Sequence, residues 1–177
     1  MWIYILLAII LIIVLCFISL FIICKMKFDN SIIRIDEALV QVTELLEKKL
    51  VLLQKVNKAV KKKTKEEFLP NIDDIKLDDI DIFQVNSEVT KYDKDVTELI
   101  DYNREDKVDS KDFKLLDELN KVNIDCAAVM KYYNENVEKY NDLLHSFPYN
   151  ITAKLRHHKE KKIFESQKEE IFEILKK

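Results

Sequence analysis

The chain opens with 23 consecutive residues that carry no charge, from Trp2 to Cys24. A helix of this length spans about 34 Å at 1.5 Å per residue, slightly more than the roughly 30 Å hydrocarbon core of a bilayer. The run lacks the basic start and the small-residue cleavage site of a secretory signal peptide. The pattern therefore predicts an uncleaved transmembrane helix that contacts lipid through residues 2–24.

Beyond this run, apolar residues recur at steps of three and four, which places them on one face of a helix. In the first such stretch the stripe passes through Ile35, Val42 and Leu46. Similar stripes follow, separated by polar segments. Together they predict helices over about 30–65, 84–103, 110–145 and 150–175, with an acidic connector over 69–83.

Each predicted helix has one apolar face to bury, and moderate connections favour antiparallel neighbours. The expected fold is all-α: an N-terminal transmembrane helix followed by an antiparallel up-and-down bundle of the four-helix type, with long helices suited to coiled-coil packing. The expected organisation is a membrane anchor with a basic flank over 1–27 and a helical domain over 28–177.

Composition narrows the function classes. The chain contains no glycine and only two prolines, and 34% of its residues are charged. Phosphate-binding loops, dinucleotide fingerprints, EF-hands and nucleophile elbows all need glycine. The composition is that of a long-helix protein, because Gly and Pro are the two residues least suited to a helix interior.

Charge suggests the topology. No basic residue precedes the apolar run, whereas Lys25 and Lys27 follow it directly. By the positive-inside rule this flank is cytoplasmic. We therefore expect a single-pass protein of the cell membrane, with its N-terminus outside and its helical domain in the cytoplasm.

A net charge of −3 and a pI of about 5.7 argue against nucleic acid as a partner. Four lysines at positions 61, 62, 63 and 65 close the first predicted helix. Basic residues in a last turn complement the helix dipole, so a charged helix end is the simpler interpretation. A patch for anionic lipid or nucleic acid is the alternative.

Catalytic and metal-binding patterns are few. His145, His157, His158 and Glu160 are metal-ligand types, but no HExxH or Glu-x-x-His motif places two ligands on one helical face. We expect His157 and His158 to face solvent. The cysteines, at positions 16, 24 and 126, do not form a disulfide framework. The sequence therefore predicts no catalytic residue, no metal site and no cofactor.

One segment, KYYNENVEKYNDLLHSFPYNITAKL, stands out for its pattern. Tyr133 and Tyr140 share a helical face with apolar neighbours and are expected in the core. Asn134 and Asn141, seven residues apart, share a second face. There they are expected to hydrogen-bond to a neighbouring helix and fix its register. The pair Phe147-Pro148 is expected to plug the end of the bundle and turn the chain.

This segment resembles the signature of the LemA family of bacterial membrane-anchored helical proteins. The order and length of the other elements are similar to that family as well. The family usually has a glycine-phenylalanine pair where this chain has His157-His158, so the C-terminal segment is where the resemblance is least close. The motif residues are Tyr133, Asn134, Val137, Tyr140, Asn141, Phe147, Pro148, Asn150 and Ala153.

The family has no well-defined biochemical activity to transfer. The leading hypothesis is a non-enzymatic membrane protein whose cytosolic bundle acts as a scaffold or adaptor for unidentified protein partners. Homo-oligomerisation through the long first helix is a further possibility. The alternative is a membrane-tethered sensor that binds a small ligand or metal between helices near Tyr133, Asn134 and His145.

Overall fold

A computed structural model of the chain describes residues 1–64, 72, 81–102 and 110–164. Within these residues the protein is entirely helical, without strands, which confirms the all-α prediction. The antiparallel order of a four-helix bundle stays a prediction. Most of the acidic connector and the lysine side chains at 61–63 and 65 lie outside what the structure describes. The helices are α1 (Trp2–Thr64), α2 (Ile82–Tyr102), α3 (Ser110–His145) and α4 (Tyr149–Leu155).

The apolar run and the first amphipathic helix form one unbroken helix, α1, of 63 residues. No glycine or proline interrupts it. The side chains of residues 1–23 are all exposed. Among the described residues, α1 is the one helix long and apolar enough to cross a membrane. Its exposed apolar surface fits a membrane-associated protein, because a continuous patch of this kind needs a lipid or protein cover.

The chain divides into two compact units. Unit 1 comprises residues 1–38 and 132–165, and unit 2 comprises residues 39–131 and 166–177. Unit 1 therefore contains the apolar run, the second half of α3 and all of α4.

Unit 2 has an apolar core into which a charged cluster is set. Lys49 lies on the buried face of α1, with its side chain only 6% exposed, and its Nζ lies 3.1 Å from a carboxylate oxygen of Asp93 on α2. The amide of Asn123, on α3, lies 3.0 Å from both oxygens of that carboxylate. The surrounding core residues are Val42, Leu46, Leu53, Val85, Val89, Val96, Leu119 and Cys126.

The C-terminal part of the chain differs from the prediction of a helix over about 150–175. Helix α4 has only seven residues and ends at Leu155. His157 then has a φ of 55°, and the next N–H, that of His158, bonds back to the carbonyl of Ala153 at 3.0 Å. This is the Schellman geometry that commonly ends a helix. Residues 158–164 continue without helical structure, and residues 165–175 lie outside the described part of the chain.

Candidate functional site

The two motif tyrosines lie on the buried face of α3 in unit 1. The ring of Tyr133 packs edge-on against Phe164, with centroids 5.0 Å apart, and its hydroxyl donates to the carbonyl of Lys162 at 3.1 Å. The ring of Tyr140 packs edge-on against Phe28 of α1, with centroids 5.8 Å apart. Burial raises the pKa of the Tyr140 phenol. Both tyrosines therefore serve as packing residues that join α3 to its neighbours.

The two motif asparagines hold the backbone of the segment that follows α4. Asn134 Nδ2 donates to the carbonyl of Phe164 at 2.9 Å, and its Oδ1 accepts from the N–H of Phe164 at 2.8 Å. Asn141 makes the same two contacts with Lys161, both at 3.0 Å. We call these four residues the asparagine clamp. Each amide uses its oxygen and its nitrogen, as a neighbouring backbone would in a sheet.

The spacing of the clamp follows from helix and strand geometry. Seven residues of α3 rise about 10.5 Å, and three residues of extended chain cover about 10 Å. Asn134 pairs with the later residue, Phe164, and Asn141 with the earlier one, Lys161, so the segment runs opposite to α3. The expectation that these asparagines bond to a neighbouring helix was wrong. Their partner is extended backbone. Its peptide groups can bond to side chains, whereas those inside a helix already bond to one another.

Two ion pairs attach the same region to α1 within unit 1. Arg156 donates to Asp29 at 2.7 Å, and Lys161 Nζ lies 3.1 Å from a carboxylate oxygen of Asp36. The hydrogen bond from Arg156 holds the pKa of the Asp29 carboxyl below its usual value. Lys161 therefore contacts α3 through its backbone and α1 through its side chain.

The two adjacent histidines have different roles. His157 is exposed and has the positive φ of the turn that ends α4. The ring of His158 stacks on Phe28, with centroids 4.8 Å apart, and meets the edge of Tyr140 at 6.1 Å. The expectation that both face solvent was wrong for His158. The left-handed turn at His157 is followed directly by the His158 ring, which lies against Phe28 of α1.

The environment of His158 disfavours its charged form. Burial lowers the pKa of its imidazole, the Arg156 charge lowers it further, and the Asp29 carboxylate opposes both. Its Nε2 is buried, with no hydrogen-bond partner among the described residues. His158 therefore acts as an aromatic ring within this contact.

The remaining motif residues surround α4. Ala153 is buried, Asn150 and Pro148 are half-buried, and a cis peptide bond precedes Pro148. Phe147 is 79% exposed, so the expectation that it plugs the end of the bundle was wrong. The aromatic ring that packs against both Tyr140 and Tyr149 is that of Phe28.

A further pair of titratable side chains lies at the surface of unit 1. His145 Nε2 lies 2.9 Å from Glu160 Oε1, and both side chains are mostly exposed. Within residues 1–64, 81–102 and 110–164, no group of three or more His, Cys, Asp or Glu side chains is placed to hold a metal. Burial raises the pKa of the Cys126 thiol, the effect of an apolar setting on a core cysteine.

Sequence reasoning missed several residues of the site, including Phe28, Asp29 and Asp36. One signal was available in the spacing. Buried residues of α1 recur every seven positions, and Phe28 and Lys49 both belong to that series even though one follows the apolar run and the other is charged. The series is Phe28, Ile35, Val42, Lys49 and Val56.

Unit 2 presents a surface groove between α1 and α3, with a volume of about 520 Å³. Apolar side chains and charged side chains of both signs line it. The groove is open to solvent, unlike the enclosed pockets that bury most of a small ligand. The lining residues are Glu47, Lys48, Val51, Leu52, Lys55, Glu118, Lys121 and Val122.

Comparison with known proteins places this arrangement in a family. The model of the LemA family matches residues 38–174, more than three quarters of the chain. The match includes the tyrosine-asparagine segment, α4 and the clamped residues, and it begins after the apolar run. No curated protein matches the chain. With the family model covering this much of its length, the chain belongs to the LemA family.

Proposed function

We propose that the chain is a non-enzymatic, single-pass membrane protein whose helical part serves as a scaffold for protein partners. The observation that carries the proposal is the use of the motif side chains. Asn134, Asn141 and the hydroxyl of Tyr133 are all bonded to backbone atoms of residues 161–164. These three side chains thereby fix the course of residues 161–164 along α3.

The proposed location is the cell membrane, with residues 2–24 in the bilayer and the helical part in the cytoplasm. The exposed apolar side chains of residues 1–23 support the membrane location. Lys25 and Lys27, both exposed at the end of the run, support the orientation through the positive-inside rule.

The groove of unit 2 is the proposed partner site. Its apolar strip, formed by Val51, Leu52 and Val122, is flanked by charged side chains of both signs. An amphipathic helix with charges beside its apolar stripe complements such a surface. The proposed partner is therefore a helical segment of another protein, and a second copy of this chain is the other possible occupant.

Site-specific photo-crosslinking in intact membranes tests the proposal. A photoreactive phenylalanine derivative replaces Val51 in the groove of the full-length chain. The matched control replaces Val40, another exposed valine of α1 in unit 2 that does not line the groove. The proposal predicts a discrete product at position 51 that is absent at position 40 and is lost with the charge reversal Lys121→Glu. Equal products at both positions, or none at either, would contradict it.

The sensor alternative is less well supported. It places a ligand beside Tyr133 and Asn134, whose polar groups already bond to residues 162 and 164. A ligand there would have to displace these bonds. Thermal-shift measurements with metals and metabolites test it, because a ligand at 100 times its dissociation constant stabilises by about 2.7 kcal/mol.

A further inference from the structure

Three large apolar side chains are exposed in α4 or in the turn directly before it. Phe147 is 79% exposed, Ile151 50% and Leu155 64%. Ile151 and Leu155 are four residues apart and lie on the same face of α4. We call these three residues the α4 apolar face. Exposed apolar residues that lie singly need no explanation, but a contiguous group marks a surface that is covered in the working protein.

Contacts with α1 fix the position of α4 relative to the apolar run. Tyr149, the first residue of α4, packs edge-on against Phe28, with centroids 6.3 Å apart. Arg156, directly after α4, bonds to Asp29 at 2.7 Å. Both ends of α4 are therefore held at residues 28–29, which lie about 6–8 Å along α1 beyond Cys24.

That distance matches the thickness of a membrane interface. Each headgroup layer adds about 5–8 Å to the hydrocarbon core. A helix held at the level of residues 28–29 lies within this layer if residues 2–24 cross the bilayer. Cys24 is already buried by protein, whereas residues 1–23 are all exposed, so unit 1 begins to cover α1 where the apolar run ends.

The charges around α4 are those of an interfacial helix. Lys154 and Lys159 are exposed beside its apolar face, and Lys25 and Lys27 are exposed on α1 at the end of the apolar run. Of the nearby carboxylates, Asp29 is paired with Arg156 and Glu160 lies against His145. Apolar residues flanked by basic ones bind the surface of membranes that contain anionic lipid.

We propose that the α4 apolar face inserts into the phospholipid surface of the same membrane that α1 crosses. This inference rests on the membrane anchoring in the proposed function and adds a second attachment to it. Phe147, Ile151 and Leu155 enter the interface, and the lysines beside them contact lipid phosphates. Because α4 is attached to α1 at Phe28 and Asp29, the two attachments together fix the rotation of α1 in the bilayer.

Tryptophan fluorescence of the full-length chain tests this insertion. The chain has a single tryptophan, Trp2, at the start of the apolar run. In a Trp2→Phe background, Phe147→Trp places the probe on the α4 apolar face. The matched control is Ile163→Trp, which is 48% exposed in the same unit. Ile163 is the neighbour of Phe164, which bonds to Asn134 of α3. Asn134 lies about 16 Å along α3 from His145, the end of the helix that leads to α4, so the control position is held farther from α4.

The proteins are reconstituted into vesicles of phosphatidylcholine and phosphatidylglycerol whose acyl chains carry bromine, a short-range quencher. The inference predicts that Phe147→Trp emits at a shorter wavelength than Ile163→Trp does. It also predicts that the bromine atoms quench most of the Phe147→Trp emission. Ile163→Trp should keep its emission. Leu155→Trp should behave like Phe147→Trp, and it provides a second probe should one substitution disturb folding.

The possible failures are distinguishable. Equal quenching at 147 and 163, with Trp2 quenched in the wild-type chain, overturns the inference and leaves the membrane anchor intact. A blue shift at 147 without quenching means that protein, either a partner or a second copy, covers the face, and this also overturns the inference. Absence of quenching at Trp2 contradicts the proposed anchoring itself.

Discussion

Asn134 and Phe164 form a closed pair of hydrogen bonds, in which the side-chain amide donates to the backbone carbonyl and accepts from the backbone N–H. Asn141, about two turns further along α3, makes the same pair of hydrogen bonds with Lys161. Extended chain beside a helix cannot satisfy its peptide groups from helical backbone, which is already bonded internally. The two asparagines supply the missing partners, and this explains the polar residues on an otherwise packed helix.

Removing one amide should weaken the attachment of the segment. Asn134→Ala deletes two hydrogen bonds to the buried Phe164, and we expect a loss of about 2–3 kcal/mol. Thermal unfolding of the full chain in detergent measures it. Asn120→Ala, the same substitution at an exposed position of α3, is the control and should melt like the wild type. Equal melting of both variants would show that the clamp adds no stability.

The turn after α4 contains an avoidable strain. A residue with a Cβ in the left-handed region costs about 1–2 kcal/mol relative to the ordinary helical region, and His157 has a φ of 55°. His157→Gly should therefore raise the melting temperature. The expected gain in the free energy of unfolding is roughly 1 kcal/mol, because the greater freedom of glycine in the unfolded chain offsets part of the relieved strain. His157→Ala keeps the Cβ and should give no such gain. A stabilisation of equal size by alanine would assign the effect to the imidazole instead.

His158 should make stability depend on pH in a defined direction. Its pKa in the folded protein lies below the ordinary value of 6.5, so the unfolded chain binds the proton more readily. Stability from this group is present above about pH 6.5 and is lost as the pH falls through the lowered pKa. Arg156 and Asp29, which also act on this ring, stay charged over that range.

His158→Phe keeps an aromatic ring against Phe28 and removes the titration. When the pH is lowered from about 7.5 to about 5, the melting temperature of the wild-type chain should fall further than that of this variant. His145 and His157 are present in both proteins, so the difference between the two pH profiles isolates His158. Identical profiles would mean that the imidazole is not desolvated in the folded protein.

The charged cluster of unit 2 should respond strongly to the loss of one partner. Asp93→Leu leaves the ammonium of Lys49 buried without its carboxylate, and we expect a cost of about 3 kcal/mol or more. The double variant Lys49→Met/Asp93→Leu should recover most of this loss. Asp117→Leu breaks an exposed pair with Lys121 and is the control, expected to melt like the wild type. If the double variant loses as much stability as the sum of the losses from Lys49→Met and Asp93→Leu measured singly, the two residues are not coupled.

The helices were predictable because their information is local. Steps of three and four identified the buried faces of α1, α2 and α3, and Pro148 marked the end of α3 at His145. The end of α4 at Leu155 was not predictable in the same way. Ile163 and Phe164 have the apolar character of a helix face, but the backbone at Phe164 bonds to Asn134, which lies 30 residues earlier.

The same limit applies to the site. Periodicity placed Asn134 and Asn141 on one face, yet it could not show whether a helix or an extended segment lies against that face. Periodicity also could not show that Phe28 packs against Tyr140, because that contact joins residues more than 100 positions apart. Such outcomes depend on competition between side chains for one place in the core, which local patterns do not describe.

The tyrosine-asparagine motif holds the segment that contains Lys161 and Phe164 against α3. Backbone hydrogen exchange at these two residues, measured in the full-length chain in detergent, tests it most directly. Both N–H groups donate to asparagine Oδ1 atoms, so both should exchange slowly, and Asn141→Ala should accelerate exchange at Lys161. Exchange at the rate of an unstructured peptide at both residues of the wild-type chain would show that the asparagines do not hold this segment.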